Sequence, residues 1–385
     1  MRLLFVSHSL PPEGRPLENV GGMQRVAIDL HDSLLAHRGV TASALVLRSP
    51  WSQSGYRTPI FLARAVREIR RLARAQEIDA ILFSSMVSAA VTVPLREVLR
   101  RSGVVTAAIV NGLDATTPTW PYPHLVRKIF DSVDIALPIS SATAEACHAR
   151  GLAPSKTQVV TLGIRLDRFK STPDRLVARH ALVRAIQSRQ PSADPALILC
   201  SVGRLVPRKG VDWFVTHVMP LLPPNVHFVV AGDGAERTRI EGSVKNLGLQ
   251  GRVTVFGQVT DSELEMVYRG SDLFMMPNVP VPGDMEGFGL VMLEAGLCGL
   301  PVIASNLEGI SDVVTNGENG QLVTSGNVKE FQGALMRYYQ DPESLAMASD
   351  RARLHTVSRF GWAGVTERYI EVIRGLREMP SDTPG

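Results

Sequence analysis

Residues 273–304 read LFMMPNVPVPGDMEGFGLVMLEAGLCGLPVIA, and this stretch indicates the fold of the chain. An apolar run, Leu273–Met276, is followed by a loop rich in Pro and Gly, by a helix that we expect to open near Phe288, and by a second apolar run, Val302–Ala304. A strand, a helix and a second strand in this order are typical of a βαβ unit in a parallel sheet. Ligands bind such sheets in the loops that follow the carboxyl ends of the strands, so the loop from Pro277 is a candidate binding site.

The same alternation of short apolar runs with amphipathic, helix-like segments occupies both halves of the chain. Strand candidates in the first half are Arg2–Ser7, Val40–Leu47, Ala80–Phe83, Val104–Val110 and Ile135–Pro138. The series starts again at Ala196–Val202, so we predict an α/β protein with two Rossmann-like parallel-sheet domains that face each other across a cleft. The charged segment 166–195 carries three prolines and is interpreted as a linker region between domains 1–165 and 196–361.

The composition of the 385 residues is that of a globular protein, because 45% hydrophobic and 20% charged residues exclude a disordered chain. The net charge of +4 does not by itself indicate a nucleic-acid partner, and none is predicted. Cys147, Cys200 and Cys298 lie far apart, which supports neither a disulfide framework nor a zinc site and favours the reducing cytoplasm. The uncharged stretch Ala80–Leu95 is shorter than the roughly 20 residues of a membrane-spanning helix.

Two glycines and two glutamates mark residues 286–294 as a candidate anion site. Gly287 and Gly289 leave backbone N–H groups uncrowded at the expected helix start, where free N–H groups and the helix dipole attract anions. Along an ideal helix Glu286 and Glu294 are roughly 12 Å and about 80° apart, so both are expected to face one groove. That span fits a diphosphate flanked by hydroxyl-bearing groups. The alternative is a salt-bridged helix whose glycines serve only the turns.

Residues 201–211, SVGRLVPRKGV, follow another strand candidate and carry positive charge. Gly203 allows the backbone to turn sharply, and Arg204 and Lys209 are expected to point into the same cleft as fixed charges for a diphosphate. The alternative is a solvated basic loop.

Residues 20–25, VGGMQR, place paired glycines between the first strand and the first helix, which permits close approach of a ligand. A simple turn is the alternative for this pair. The dinucleotide signature GxGxxG does not occur in the chain, which argues against a Rossmann oxidoreductase.

Taken together, these three segments resemble the motifs of retaining glycosyltransferases with the GT-B fold, family GT4 (glycosyl transferases group 1). VGGMQR is similar to the N-terminal GG loop of that family, VGRLVPRKG to its GR…KG motif and EGFGLVMLE to its E-x7-E motif. Further similar segments are Gly163 with residues 167–169, residues 255–264 and residues 316–323. Residues 359–369, RFGWAGVTERY, resemble the last helix of the family, and the resemblance implies that this helix, at about 362–380, crosses back to the N-terminal domain.

The resemblance implies a donor site for a nucleotide sugar. Glu294 would hold the ribose hydroxyls, and Glu286 would hold a hydroxyl of the donor sugar at the catalytic centre. Arg204 and Lys209 would neutralise the leaving diphosphate, and the base would sit against residues 257–259. The remaining donor-binding positions that it implies are Gly22, Gly203, Val259, Gly287, Phe288, Gly289 and Leu290.

One position departs from the family pattern. The segment 111–114 reads NGLD, with Asn111 where the family usually has a histidine that contacts the donor sugar and the reaction centre. Asparagine keeps a hydrogen bond but carries no titratable proton near neutral pH. Retention by front-face displacement tolerates this change, because the leaving phosphate oxygen can take the acceptor proton. The chain has no D-x-D motif, so neither a metal ion nor a cofactor is predicted.

Two further features concern the acceptor and the membrane. Asp114, Trp120 and Tyr122 follow Asn111 in an unusually aromatic segment and are candidate acceptor contacts, with a packed loop as the alternative. The predicted helix Ala63–Gln76 carries five arginines beside an apolar stripe, which permits peripheral contact with an anionic membrane, although a solvated face is the commoner role.

The sequence thus predicts a cytoplasmic glycosyltransferase, either free or peripheral at the inner face of the membrane. It would move a hexose-type sugar from a UDP- or GDP-sugar to a hydroxyl of a glycan, lipid-linked or small-molecule acceptor. Two alternatives stay open: a sugar-nucleotide epimerase with the same fold, and a non-catalytic subunit whose site is altered at Asn111. The donor, the acceptor and the oligomeric state are not determined by these patterns.

Overall fold

The computed structural model describes residues 1–12, 22–117, 122–169 and 174–378. They form two compact units. The first contains the described part of Met1–Arg165 together with that from Gly361 onward, and the second is Leu166–Phe360.

The strands are Arg2–Leu10 (β1), Thr41–Arg48 (β2), Ala80–Phe83 (β3), Val105–Val110 (β4), Ile135–Pro138 (β5), Leu197–Val202 (β6), Val226–Ala231 (β7), Val253–Gly257 (β8), Leu273–Met276 (β9), Val302–Ser305 (β10) and Gly320–Val323 (β11). The α-helices are Gly22–Ala36 (α1), Ser54–Arg74 (α2), Met86–Ala89 (α3), Thr92–Arg101 (α4), Gly112–Thr116 (α5), Tyr122–Ser132 (α6), Ser141–Ala149 (α7), Arg175–Gln187 (α8), Val211–His217 (α9), Arg237–Asn246 (α10), Asp261–Gly270 (α11), Leu290–Leu297 (α12), Val328–Gln340 (α13), Pro342–Phe360 (α14) and Trp362–Glu378 (α15). Short 3-10 helices cover Trp51–Gln53, Pro154–Lys156, Pro207–Lys209, Met219–Leu221 and Glu308–Ile310.

The sheet of the first unit is parallel, with strand order β2-β1-β3-β4-β5. Its strands are apolar runs, and the three central ones are almost entirely buried because helices cover both faces of a parallel sheet. Strand order reverses between β1 and β3, and at such a switch point the loops after the strands diverge and leave a crevice.

The sheet of the second unit is also parallel, with order β11-β10-β9-β6-β7-β8. Its switch point lies between β6 and β9, the two strands that precede the basic loop and the glutamate loop noted in the sequence. The core beneath contains a cluster of buried aromatic rings, Phe214, Phe228 and Phe331, with ring centroids 4.9 and 6.0 Å from that of Phe214. The predicted class, two parallel-sheet α/β domains, is confirmed.

Helix α2 and strand β11 differ from the prediction. Helix α2 begins at Ser54, nine residues before the predicted Ala63, and it includes Pro59. Pro59 stands in the second turn and has no N–H to donate to the carbonyl of Gly55, so the helix lacks one intrahelical hydrogen bond there. Strand β11 was not predicted, because four residues at a sheet edge give too short a pattern.

The segment interpreted as a linker also contains regular structure. Helix α8 buries Ala178, Leu182 and Ile186, which are spaced four residues apart and therefore lie on one face. Leu182 meets α11 where Gly270 leaves room: a Cβ on Gly270 would lie 2.8 Å from the Cβ of Leu182. Residues 174–195 are thus packed into the second unit rather than connecting two bodies.

Helix α15 returns the chain to the first unit. Its first residue, Trp362, packs on Gly163 so closely that any side chain at Gly163 would overlap the indole ring. Further along, the imidazole Nε2 of His37 lies 2.6 Å from Glu367, and the hydroxyl of Thr366 lies 2.7 Å from that of Ser33.

Candidate active site

Three loops meet at the carboxyl edge of the second sheet, after β6, β9 and β10. The backbone N–H of Val279 donates to the carbonyl of Arg208 over 3.0 Å, and that of Gly309 donates to the carbonyl of Glu286 over 3.1 Å. The approach requires glycine, since a Cβ on Gly210 would overlap the carbonyl oxygen of Pro277. Two of the motifs predicted from sequence, in residues 201–211 and 286–294, therefore share one edge of one sheet.

Glu286 is the centre of a charged cluster in these loops, and its side chain is largely buried. One oxygen, Oε2, lies 2.6 Å from Lys209 Nζ and 3.3 Å from the amide nitrogen of Asn278, and it also accepts from Arg208 Nη1. Burial pushes the pKa of Glu286 upward, but the charges of Lys209 and Arg208 outweigh it and hold that pKa below its ordinary value. The carboxyl group is therefore ionised at neutral pH.

Arg208 and Asn278 were not predicted as site residues. Arg208 is 8% exposed, and its Nε donates to Asp284 over 2.9 Å while Nη1 reaches Glu286. Asn278 is 1% exposed, and its Oδ1 has no hydrogen-bond partner among the described residues. A cation beside Lys209 and an amide one residue after the β9 loop begins were visible in the sequence, but nothing local indicated that they converge on Glu286.

The two predicted cations differ in environment. Lys209 is partly buried, and burial lowers the pKa of its ammonium group against the opposing pull of Glu286. Arg204 is exposed, and its positive charge also acts on Lys209. Gly203, with φ +140°, makes the sharp turn that was predicted after β6. Arg204 and Lys209 thus belong to the same loop. Of the two, Lys209 is the one that forms an ion pair with a carboxylate among the described residues.

Helix α12 begins at Leu290, two residues later than predicted, because Gly289 adopts a left-handed conformation at φ +85°. Within the described residues, no acceptor takes the backbone N–H groups of Gly287, Phe288 or Gly289. The N–H of Glu286 donates to the carboxylate of Glu308 over 2.5 Å. The sequence predicted an anion site at this helix start, and N–H groups that are free to donate are what such a site would use.

Glu286 and Glu294 do not lie on one helix, which corrects the geometry expected from an ideal helical span. Glu294, on α12, accepts from the hydroxyl of Tyr268 over 3.1 Å and lies 3.4 Å from Arg168 Nε. Arg168 in turn contacts Asp261 over 2.8 Å. The two glutamates therefore occupy separate polar clusters with different partners, and Tyr268 and Arg168 join the candidate site.

Val259 lies in the loop after β8, and it is partly exposed. Gly257 at the end of β8 has φ +75°, and a Cβ there would lie 2.9 Å from the guanidinium of Arg237. The next helix, α11, starts with a capping box between Thr260 and Glu263, which explains why the loop is short and well defined.

In the first unit the structure brings Asn111, Asp114 and Tyr122 together. Asp114 accepts from the backbone N–H of Asn111 over 3.1 Å, from its side-chain amide over 3.2 Å and from the Tyr122 hydroxyl over 3.3 Å. Burial raises the pKa of Asp114. Its oxygens are occupied by internal donors, so Asp114 holds Asn111 rather than standing open to an acceptor.

The remaining predicted positions are Gly22 and Trp120. Gly22 is the exposed first residue of α1, and Trp120 lies outside the described residues. Among the residues that the structure describes, no group of three His, Cys, Asp or Glu side chains is arranged to hold a metal ion. Likewise, no helix in the described ranges is long and apolar enough to cross a membrane.

Comparisons with known proteins address the family and the enzyme class of the chain. Residues 183–355 match the family described as glycosyl transferases group 1. The chain is 24% identical, over 97% of its length and 98% of the other, to a GDP-mannose-dependent alpha-(1-6)-phosphatidylinositol monomannoside mannosyltransferase of Mycobacterium tuberculosis. It is 31% identical to the D-inositol 3-phosphate glycosyltransferase of Gordonia bronchialis, over 61% of this chain and 51% of that one.

The fold also matches solved structures. Anabaena Alr3699/HepE in complex with UDP superimposes with a TM-score of 0.71 at 18% identity, over 97% of this chain and 100% of the other. The predicted GT-B fold and the predicted enzyme class are thereby confirmed. The chain is a glycosyltransferase with the GT-B fold, and its residues 183–355 match the glycosyl transferases group 1.

Proposed function

We propose that the chain transfers a hexose-type sugar from a UDP- or GDP-sugar to a hydroxyl acceptor with retention of configuration. The proposal rests on one observation. The buried carboxylate of Glu286 contacts Lys209, and the N–H groups of the next three residues, 287–289, have no acceptor among the described residues. Relatives support the donor class, since one is named as GDP-mannose-dependent and HepE was solved with UDP and with UDP-glucose.

The diphosphate would bind where positive charge and free N–H groups meet. Lys209 and Arg204 supply charge from the β6 loop, and the N–H groups before α12 supply donors whose positions need no reorganisation. As the glycosidic bond breaks, negative charge grows on the diphosphate, and fixed donors there stabilise the transition state more than the ground state. These groups can neutralise the leaving group without a metal ion.

The two glutamates would hold the two sugars of the donor. Glu286 keeps Oε1 without a partner among the described residues while Oε2 is occupied, so Oε1 is placed to accept from a hydroxyl of the transferred sugar. Glu294 would accept from the ribose hydroxyls, which requires Arg168 to share or yield its contact.

The reaction would proceed on one face of the donor sugar. The acceptor oxygen forms a bond to the anomeric carbon as the bond from that carbon to the phosphate oxygen breaks, and the acceptor proton passes to that phosphate oxygen. No enzyme base is needed, which agrees with an asparagine at position 111. For Asn111 and Gly22 the roles implied by the family resemblance stay predictions.

The first experiment is a screen of UDP-, GDP- and ADP-sugars for thermal stabilisation, followed by turnover with and without excess EDTA. A donor present at about 100 times its dissociation constant should stabilise the protein by roughly 2.7 kcal/mol. We expect turnover to persist in EDTA and the product to keep the anomeric configuration of the donor by NMR. An inverted product would overturn the proposed mechanism, and activity restored only by Mg²⁺ or Mn²⁺ would overturn its metal independence.

A second experiment tests the roles of the two cations. Lys209→Ala and Arg204→Ala should each lower kcat roughly a hundredfold or more while weakening the intact donor much less, because they act on charge that develops in the transition state. The double variant should be less than additive, since both act on one leaving group. Lys245→Ala, an exposed lysine on α10, is the control. A higher dissociation constant with unchanged kcat would show uniform binding instead.

A further inference from the structure

The contacts of Glu286 present a conflict that the proposed function must resolve. Lys209 is assigned to the diphosphate, yet its Nζ lies 2.6 Å from Glu286 Oε2. A buried carboxylate that loses its counter-ion pays a desolvation penalty of several kcal/mol. Lys209 can therefore turn to a diphosphate only if another cation stays with Glu286.

We propose that Arg208 is the permanent counter-ion and positioning residue of Glu286, and that it frees Lys209 to move from Glu286 to the diphosphate when the donor binds. This inference rests on the proposed function. It concerns a residue that touches neither sugar nor phosphate in that scheme and acts through its neighbours.

The contacts of Arg208 hold its side chain in place. Its guanidinium is anchored at two points, Asp284 Oδ1 and Glu286 Oε2, and the planar fork of arginine holds such a bridge with defined geometry. Its carbonyl is fixed as well, because it accepts the N–H of Val279. The side chain is 8% exposed, so little water competes for these bonds.

The side chain of Lys209, by contrast, is able to change partners. An ammonium on a flexible four-carbon stem is a point charge that can change partners without a required orientation. The stem is not tightly packed on the side of Gly203, since an added Cβ on Gly203 would still lie 3.8 Å from Lys209 Cε. After such a move, Glu286 Oε2 would still have Arg208 and the amide of Asn278.

The charges around Glu286 come from all three loops. The β6 loop contributes Arg208 and Lys209, with the charge of Arg204 acting on Lys209. The β9 loop contributes Asp284, and the β10 loop contributes Glu308 at the N–H of Glu286. Without Arg208, Lys209 would be the remaining cation in contact with the carboxylate and would be retained there. The pKa of Glu286 would then rise, since Arg208 is one of the charges that lower it.

The test compares Arg208→Gln, Arg208→Lys and the control Arg239→Gln, an exposed arginine on α10 that pairs with Asp212. We measure the donor dissociation constant, kcat, and kcat/KM against pH. Arg208→Gln should lower kcat roughly a hundredfold, like loss of Lys209 itself. The acidic limb of its pH profile should move to higher pH, because Glu286 loses a positive charge that favours its ionised form. Arg208→Lys should restore the limb, because it keeps the charge, and Arg239→Gln should change neither quantity.

The double variant Arg208→Gln/Lys209→Ala separates the inference from a merely structural role. Measured at a pH above the acidic limb of each variant, where Glu286 is ionised, the double variant should fall no more than about threefold below Lys209→Ala, because Arg208 acts by releasing Lys209. Multiplicative losses together with an unmoved acidic limb would overturn the inference and leave the proposed function intact. If the wild type turns over no nucleotide sugar, the proposed function itself fails. Turnover by the wild type is therefore measured before any variant is made.

Discussion

At the scale of single residues, Glu294 and its neighbours make a prediction about nucleotide binding. The carboxylate is 8% exposed, and it is oriented by the hydroxyl of the fully buried Tyr268 and by Arg168. A hydrogen bond to a charged group contributes about 1.5–3 kcal/mol, so both the carboxylate and its support should matter for affinity.

We expect Glu294→Ala to weaken donor binding at least about tenfold, and Tyr268→Phe to weaken it in the same direction but less. Tyr369→Phe is the matched control, because Tyr369 is equally buried and its hydroxyl bonds the carbonyl of Val160 in the first unit. Isothermal calorimetry gives the dissociation constants. Unchanged affinity in Glu294→Ala would remove this residue from the ribose role.

At the scale of elements, helix α2 presents a basic surface. Arg64, Arg67, Arg70 and Arg74 are exposed, and no carboxylate among the described residues forms an ion pair with them. Tyr56 and Ile60, each 60% exposed, add apolar surface near the start of the same helix. Basic residues near an anionic bilayer contribute about 1 kcal/mol each, so this surface could hold the protein at a membrane.

We predict that changing these four arginines of α2 to Gln reduces sedimentation with phosphatidylserine-containing vesicles, and that salt weakens wild-type binding because surface charges are screened. Arg100→Gln/Arg101→Gln on α4 is the control, since both arginines already pair with Glu97. If the wild type does not sediment with such vesicles, the arginines form a solvated face and the membrane role is withdrawn.

At the scale of the whole molecule, the two units have separate cores and the chain returns to the first through α15. Tyr369 on α15 and Phe331 on α13 are both fully buried, one in each unit. Truncating a buried aromatic side chain to alanine costs about 3–5 kcal/mol, and the cost falls on the core that loses the ring.

Hydrogen exchange followed by mass spectrometry can show which of the two units is destabilised by each substitution. Tyr369→Ala should lower the protection of peptides from β1–β5 while peptides from β6–β11 keep theirs, and Phe331→Ala should do the reverse. Equal loss of protection in both units after either substitution would show that they unfold as one cooperative body.

Much of this architecture could be predicted because its causes are local. Apolar runs four to nine residues long alternate with amphipathic segments, and that alternation alone indicates parallel sheets covered by helices. Errors arose where a local signal misled: Ser54 and Gly55 look like loop although α2 begins there, and charge concealed the apolar stripe of α8. Gly289 was recognised as important, but its left-handed conformation shifted the start of α12.

The sequence by itself determined which residue types are present at the strand ends, because the E-x7-E, GR…KG and GG motifs are continuous segments whose chemistry is readable in place. Only the tertiary structure decided their partners. Arg208 lies 78 positions before Glu286, and Lys209 is the next residue in the chain. Both side chains meet Glu286 because β6 and β9 are neighbours at the switch point of the sheet. Strand order is a consequence of how whole elements bury their apolar faces together, so no local pattern around residue 208 could reveal that this side chain neutralises a carboxylate of another loop.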